Sequence, residues 1–486
     1  MTIALFILYF VVVFAIGIWS MRLTRSESDY WIAGGKLGWV LGGATIAATH
    51  VSAGSFIGTI GVIYTAGWSF AWIVLSIPLA YWFMAAVLAP RFTRTRELTV
   101  SAFLESRYES LAMRRLSAAV ILVAIVVYVQ AQIVASGLVG SIVFGVSREW
   151  AMVVFTLVLL AYTALGGLYA VVYTDFFQLI IMVAGVLLAL PLAVHQVGGF
   201  EALFTYVREV KPETFTWGSF PPRHLMTMML AFTLGTVATP EKLVRLYSMK
   251  DMRQVRRAVL FAFVAATGLN LIIFLIALAA IVLFPGLPTG DLAMPLVARA
   301  VLPPLLGALL LAAIASAIMS TVSALMLVAG SALARDLYGT FRPAVTDRER
   351  IYVGRIGILL VGVAPLVLIL SGVGRGELVQ FIVLLYTALM ASSFFVPVVV
   401  GVYWSRATKA GAVASMLGGV TACFAWKLYG ATDIDPVLPG LLVSLLFFVV
   451  VSLLTTRPSD AAFAPFSKKG AKLHTATPSV SGSLLQ

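Results

Sequence analysis

Apolar runs of about 20 residues, separated by short segments that hold most of the charged side chains, recur along the whole chain, as expected of helices that cross a bilayer. Thirteen runs stand out, near 3–21, 39–63, 67–89, 116–145, 150–166, 175–195, 224–240, 258–284, 304–333, 354–372, 378–403, 410–429 and 436–456. The pattern predicts an all-α polytopic membrane protein with 13 transmembrane helices. The first run has no basic leader and no small-residue cleavage pattern, so it is expected to remain as a span. The second run is unusual. From Ala44 to Phe70 (ATIAATHVSAGSFIGTIGVIYTAGWSF) it carries no acidic residue, no Lys and no Arg, yet gathers Gly, Ser and Thr around Val51. A helix in lipid must satisfy its own backbone, so this cluster predicts a span broken at mid-depth, where freed carbonyls meet protein, water or an ion. Transporters commonly bind their cargo at such breaks.

If spans 2–6 and 7–11 form two five-helix halves, the odd number of helices gives them opposite orientations, related by a two-fold axis in the membrane plane. The expected organisation is a first span and inner loop (1–38), a first half of the core (39–200), a second half (201–408) and two peripheral spans (409–456). Residues 457–486, rich in Ser, Ala, Lys and Pro, are expected to be a disordered cytoplasmic tail. No connecting segment is long enough to bury a soluble core.

Composition sharpens this picture. At 61% hydrophobic and 11% charged, the 486-residue chain does not belong to the soluble classes. A net charge of +13 raises nucleic acid as a partner, but most of the 33 basic residues fall in alternate connecting segments. That alternation is the positive-inside pattern, with the N-terminus outside and the C-terminus cytoplasmic. The surplus therefore reads as topology, with some attraction to anionic lipid, and no nucleic acid is expected. The lone Cys423 excludes a disulfide framework and a cysteine-based metal site. The expected location is a bacterial-type inner membrane, with a small organic solute and the bilayer as partners and no obligatory protein partner. No HExxH string or deep carboxylate pair suggests an enzyme.

Three places carry candidate chemistry. In the ninth span, Ala317, Ser320 and Thr321 share one helical face, offering the oxygen atoms a hard cation takes in place of water. The same residue types also let helices approach closely and bond back to their own carbonyls. Asp175, after Thr174 at the expected start of the sixth span, suits either a helix cap or a cation or gating site. His50 is a titratable side chain inside the broken segment, placed for substrate contact, for proton coupling, or for a plain interhelical hydrogen bond.

Five strings, SDYWIAGGKLGW (28–39), the broken segment, GGLYAVVYTDFFQ (166–178), STVSALMLVAGSALARDLYG (320–339) and FFVPVVVGVYWSRATKAGA (394–412), together resemble the sodium:solute symporter family from about residue 5 to 430. The resemblance implies a leucine-transporter-type core, a 5+5 inverted repeat with one extra N-terminal span, and by the span count two extra C-terminal ones. It implies alternating access around a central site, with sodium ion (Na+) coupled to the solute. The main sodium site would use the carbonyls of Ala48, Val51 and Ala317 and the hydroxyls of Ser320 and Thr321. A second cation site seen in some members would use Asp175 and Ser323, although Ala324 removes one expected hydroxyl. TLGTVATPEKLVRLYSMKD (233–251) is similar to the branch that includes pantothenate and short monocarboxylate permeases. The expected cavity lining is His50, Ser52, Ser55, Tyr128, Gln132 and Tyr386, with every Lys and Arg near the membrane surface. A solute carboxylate would then rest on helix ends, hydroxyls and the ion, and sugar is disfavoured. The expected activity is sodium-coupled symport of a monocarboxylate, a pantothenate-like solute or an amino acid. A proton-coupled symporter of the same fold and a membrane sensor with vestigial transport are the alternatives.

Overall fold

A computed structural model describes residues 2–95, 97–216, 219–373, 377–430, 433–459 and 463–466. Among these the chain is helical throughout, with a single parallel bridge between Leu37 and Met249. Nine helices among the described residues are long and apolar enough to cross a membrane, and a bent pair makes a tenth.

The helices are α1 (Thr2–Ser20), α2 (Trp39–His50), α3 (Gly54–Ala71), α4 (Ser76–Phe83), α5 (Leu111–Phe144), α6 (Arg148–Val197) and α7 (Pro222–Ala238). There follow α8 (Pro240–Tyr247), α9 (Met252–Leu283), α10 (Pro304–Ser331), α11 (Asp347–Leu370), α12 (Val379–Val400), α13 (Lys409–Tyr429) and α14 (Val437–Leu454). Much of the expected tail lies outside the described residues. Within it, Ala464–Phe466 form a short turn, and Phe466 is buried against Phe103.

The expected fifth and sixth spans meet without a loop. Gly167 interrupts α6 with φ 63°, and a Cβ there would stand 2.7 Å from the Tyr30 ring, so both conformation and space call for glycine. Asp175 therefore lies inside a helix rather than at its start, and the capping role expected of it is corrected. The seventh span does not stop near residue 240. After Ala238 the chain is extended at Thr239, and Pro240 restarts it as α8. A proline has no N–H to donate and restricts the residue before it, so the sequence itself sets this second break.

The ninth span forms the axis of the molecule. α10 is buried along most of its length and packs most extensively against α6, with α11, α5 and α1 around it. Close approach follows from its small residues: a Cβ on Gly185 of α6 would come within 2.7 Å of Ala313. α1 is tied in by polar contacts, since the Tyr9 hydroxyl accepts from Ser316 (2.9 Å) and Gln178 (3.3 Å). Outward faces are apolar, with Trp82, Trp150 and Leu454 exposed. In the segment between α9 and α10, the short turn Gly290–Leu292 lies against α3. The Asp291 carboxylate accepts from the Val379 N–H at the start of α12 (3.2 Å), and a Cβ on Gly61 would stand 2.5 Å from its other oxygen.

Candidate functional site

The break between α2 and α3 bends the pair by 46° and is closed by its own polar residues. Val51 leaves the helix at φ −81°, ψ 86°, fully buried, its N–H closing the last turn on Ala47 (2.9 Å). The Ser52 hydroxyl accepts from the Gly54 N–H (3.0 Å), and the Ser52 carbonyl accepts from Ser55 and Phe56. Gln132 on α5 accepts from the Ala53 N–H (3.1 Å). These bonds meet the requirement that backbone freed in the bilayer find partners within the protein.

α10 lies directly against this break. Ser320 Oγ donates to the Ala48 carbonyl (2.9 Å) and is 3.3 Å from that of Ala317. Thr321 Oγ1 is 3.0 Å from the Ala317 carbonyl and donates to Thr49 (3.2 Å). Ala48, Ala317, Ser320 and Thr321 are thus gathered into one cradle of uncharged oxygens, all fully buried, with the Thr49 carbonyl added. Hydroxyls can turn their lone pairs inward, so the cradle fits a hard, weakly charged cation. Nothing in the sequence distinguishes the Thr49 carbonyl, because a backbone oxygen carries no residue signature.

Beside the cradle is a cavity lined by His50, Ser52, Ser55, Tyr128 and Tyr386, five of the six residues expected there. Gln132 does not line it; its amide oxygen is held by the helix break, while its buried amide nitrogen makes no hydrogen bond. The Tyr128 and Tyr386 rings stack at 4.5 Å, and Tyr128 donates to Ser52 (3.1 Å). Lys242, Thr59, Asn270, Thr236, Gln380 and Thr387 also line the cavity and were not anticipated. The cavity measures about 40 Å³, room for a few waters, so loading a solute requires the helices to part.

Sequence reasoning placed all basic residues near the surface, and the structure corrects this. Lys242 is 5% exposed and Arg245 1% exposed, both on α8. Arg245 donates to the Glu241 carbonyl (2.5 Å), to the Thr45 hydroxyl (2.8 Å) and to Asp175 (3.4 Å), and Thr45 also donates to Asp175. Glu241 accepts from Tyr386 (2.8 Å) and Lys242 (3.3 Å). α8 thereby buries two cations and two anions in one network joining α2, α6 and α12. Its short, charged sequence after a proline has the character of a surface loop, and only the partners supplied by distant spans make burial tolerable. Ser323 donates to the Ser320 carbonyl of its own helix (3.1 Å).

The family model "Sodium:solute symporter family" matches residues 30–419. The chain is 29% identical to the high-affinity proline transporter PutP of Bacillus subtilis, covering 93% of this chain and 98% of that protein. It is also 29% identical to the sodium/pantothenate symporter of Escherichia coli, covering 91% and 94%. Among solved structures, a substrate-bound, outward-open Na+-coupled sialic acid symporter superposes with a TM-score of 0.82 at 18% identity, over 94% of this chain and 98% of that one. MhsT, solved with L-phenylalanine, shares the fold more distantly, with a TM-score of 0.54 at 14% identity. With a broken span facing an oxygen-lined helix, and a family match over most of its length, this chain belongs to the sodium:solute symporter family.

Proposed function

We propose that the chain carries a small organic solute with sodium across a bacterial plasma membrane by alternating access around the cavity between α2, α8 and α12. The supporting observation is the oxygen cradle in which Ser320 and Thr321 of α10 meet the carbonyls released where α2 breaks. Sodium bound by Ala48, Val51, Ala317, Ser320 and Thr321 would join these elements, shaping the adjoining cavity for the solute. Separation of the same elements would dissolve the ion site and release both cargoes. Only a difference in affinity between states can couple them, so each ligand must raise affinity for the other.

One sodium site suffices in this reading. Asp175 already faces the Arg245 guanidinium, and Ser323 is bonded within its own helix. The organisation we favour is thirteen spans with the N-terminus outside, the first span outside a 5+5 repeat and two spans after it. It is supported by breaks in the span that opens each half, after His50 and after Ala238. The solute class is a monocarboxylate, a pantothenate-like compound or an amino acid, in keeping with relatives named for proline and pantothenate. The test is initial uptake into proteoliposomes against external sodium. Ser320→Ala and Thr321→Ala are each expected to raise the half-saturating sodium concentration roughly tenfold, the worth of one hydrogen-bonding ligand. Unchanged sodium dependence in both variants would remove the cradle from the mechanism.

A further inference from the structure

The cavity wall is neutral but for one residue. Among the described residues lining it, Lys242 is the only Lys, Arg, Asp or Glu; the rest are the imidazole of His50, hydroxyls, amides, rings and aliphatic groups. Its ammonium has two acceptors, Glu241 Oε1 and the Thr239 hydroxyl, both at 3.3 Å. These are long contacts for an ammonium with three protons to place. Glu241 is committed elsewhere as well, since its other oxygen accepts from Tyr386 at 2.8 Å. Adjacent residues on a helix point in different directions, which leaves Lys242 turned to the cavity while Glu241 and Arg245, four apart, share another face.

Charge balance carries the argument further. Asp175, Glu241, Lys242 and Arg245 sum to zero and are all buried. A sodium ion entering the adjoining cradle would add one positive charge to this balanced, buried set. A neutral solute would not offset it, and a cationic one would make it worse. A solute with one negative charge restores neutrality and gives the Lys242 ammonium a stronger acceptor than a hydroxyl.

We infer that Lys242 is the specificity-determining residue of this cavity, holding the carboxylate of a solute that travels with sodium. This rests on the symport reading above and narrows it to acids. Lys242 also sits beside the Tyr128–Tyr386 stack through Glu241, so seating the carboxylate would loosen the Lys242–Glu241 contact and change what Tyr386 feels.

The test uses the full-length protein in detergent or nanodiscs, followed by thermal unfolding in sodium and in potassium. The probes are propionate, pyruvate and pantothenate, each beside its uncharged-carboxyl counterpart, the amide or, for pantothenate, the alcohol. At least one acid is expected to stabilise the wild type in sodium, its counterpart binding about 30-fold more weakly or worse. Lys242→Gln is expected to weaken that acid by about 30-fold while keeping the shift produced by sodium alone, and Lys242→Arg to recover part of the loss. The sodium shift reports that each variant is folded, and the acid-to-amide contrast in the wild type needs no variant. A protein that responds to sodium but treats acid and counterpart alike, binds no acid, or loses nothing in Lys242→Gln overturns the role of Lys242 alone. A wild type indifferent to sodium overturns the symport reading and this inference together.

Discussion

Arg245 is a guanidinium almost wholly shielded from solvent, tolerated because Thr45, Asp175 and the Glu241 carbonyl receive its protons. Removing the one anion among these leaves a buried charge without compensation. Asp175→Asn is therefore expected to cost about 3–5 kcal/mol of stability, read as a lower Tm of the purified protein, and Asp175→Asn combined with Arg245→Gln to recover part of it. At this scale the sequence was legible where side chains carry the signal. Ser320 and Thr321 stand out as hydroxyls in an apolar span, and both reach the break. Lys242 and Arg245 were not legible, because PEKLVR opens on a proline and has the composition of an interfacial loop. Its burial depends on Asp175 and Thr45, which lie 70 and 200 residues away from Arg245. Gln132 was found for the wrong purpose: a buried amide in mid-span signals an obligation to hydrogen bond, but not to which group.

Elements, rather than single residues, carry the motion proposed here, and the turn Gly290–Leu292 bridges two of them. Asp291 links the α3 half of the broken span to the start of α12. Burial pushes its carboxyl up to about 7, against the pull of the Val379 N–H and of Arg148. The folded chain thus keeps a proton that the unfolded chain releases at ordinary carboxylate pH. Stability contributed at this position should fall as pH rises from about 4 to about 7 and stay level above that. The expected outcome is that the Tm difference between wild type and Asp291→Asn changes across this window and is constant at higher pH. A difference that is flat from pH 4 to 7 would mean that the carboxyl is solvated. The broken span was legible because glycines and hydroxyls cluster around Val51. The second break was not, since Thr239 and Pro240 end an apolar run in the manner of an ordinary helix terminus, and the resumption as α8 is too short and too charged to register as a continued span.

For the molecule as a whole, long apolar runs such as 258–284 and 304–333 emerged as α9 and α10, because hydropathy over that length admits few alternatives. The stretch 67–89 did not yield one regular helix: Gly67–Leu75, which takes in the last residues of α3, is wound as a 3-10 segment before α4, which composition does not foretell. Orientation is tested by fusing reporters after residue 459, the end of a described stretch. Green fluorescent protein is expected to fluoresce there and alkaline phosphatase to stay inactive, and the opposite pair of results would invert the proposed topology. Tyr9 grips α10 through Ser316, one helical turn before Ser320 of the cradle, and α6 through Gln178. A chain shortened by α1 would lose that clasp, leaving the Ser316 hydroxyl and the Gln178 amide desolvated beside a void and the proposed ion-binding helix without its outer stay.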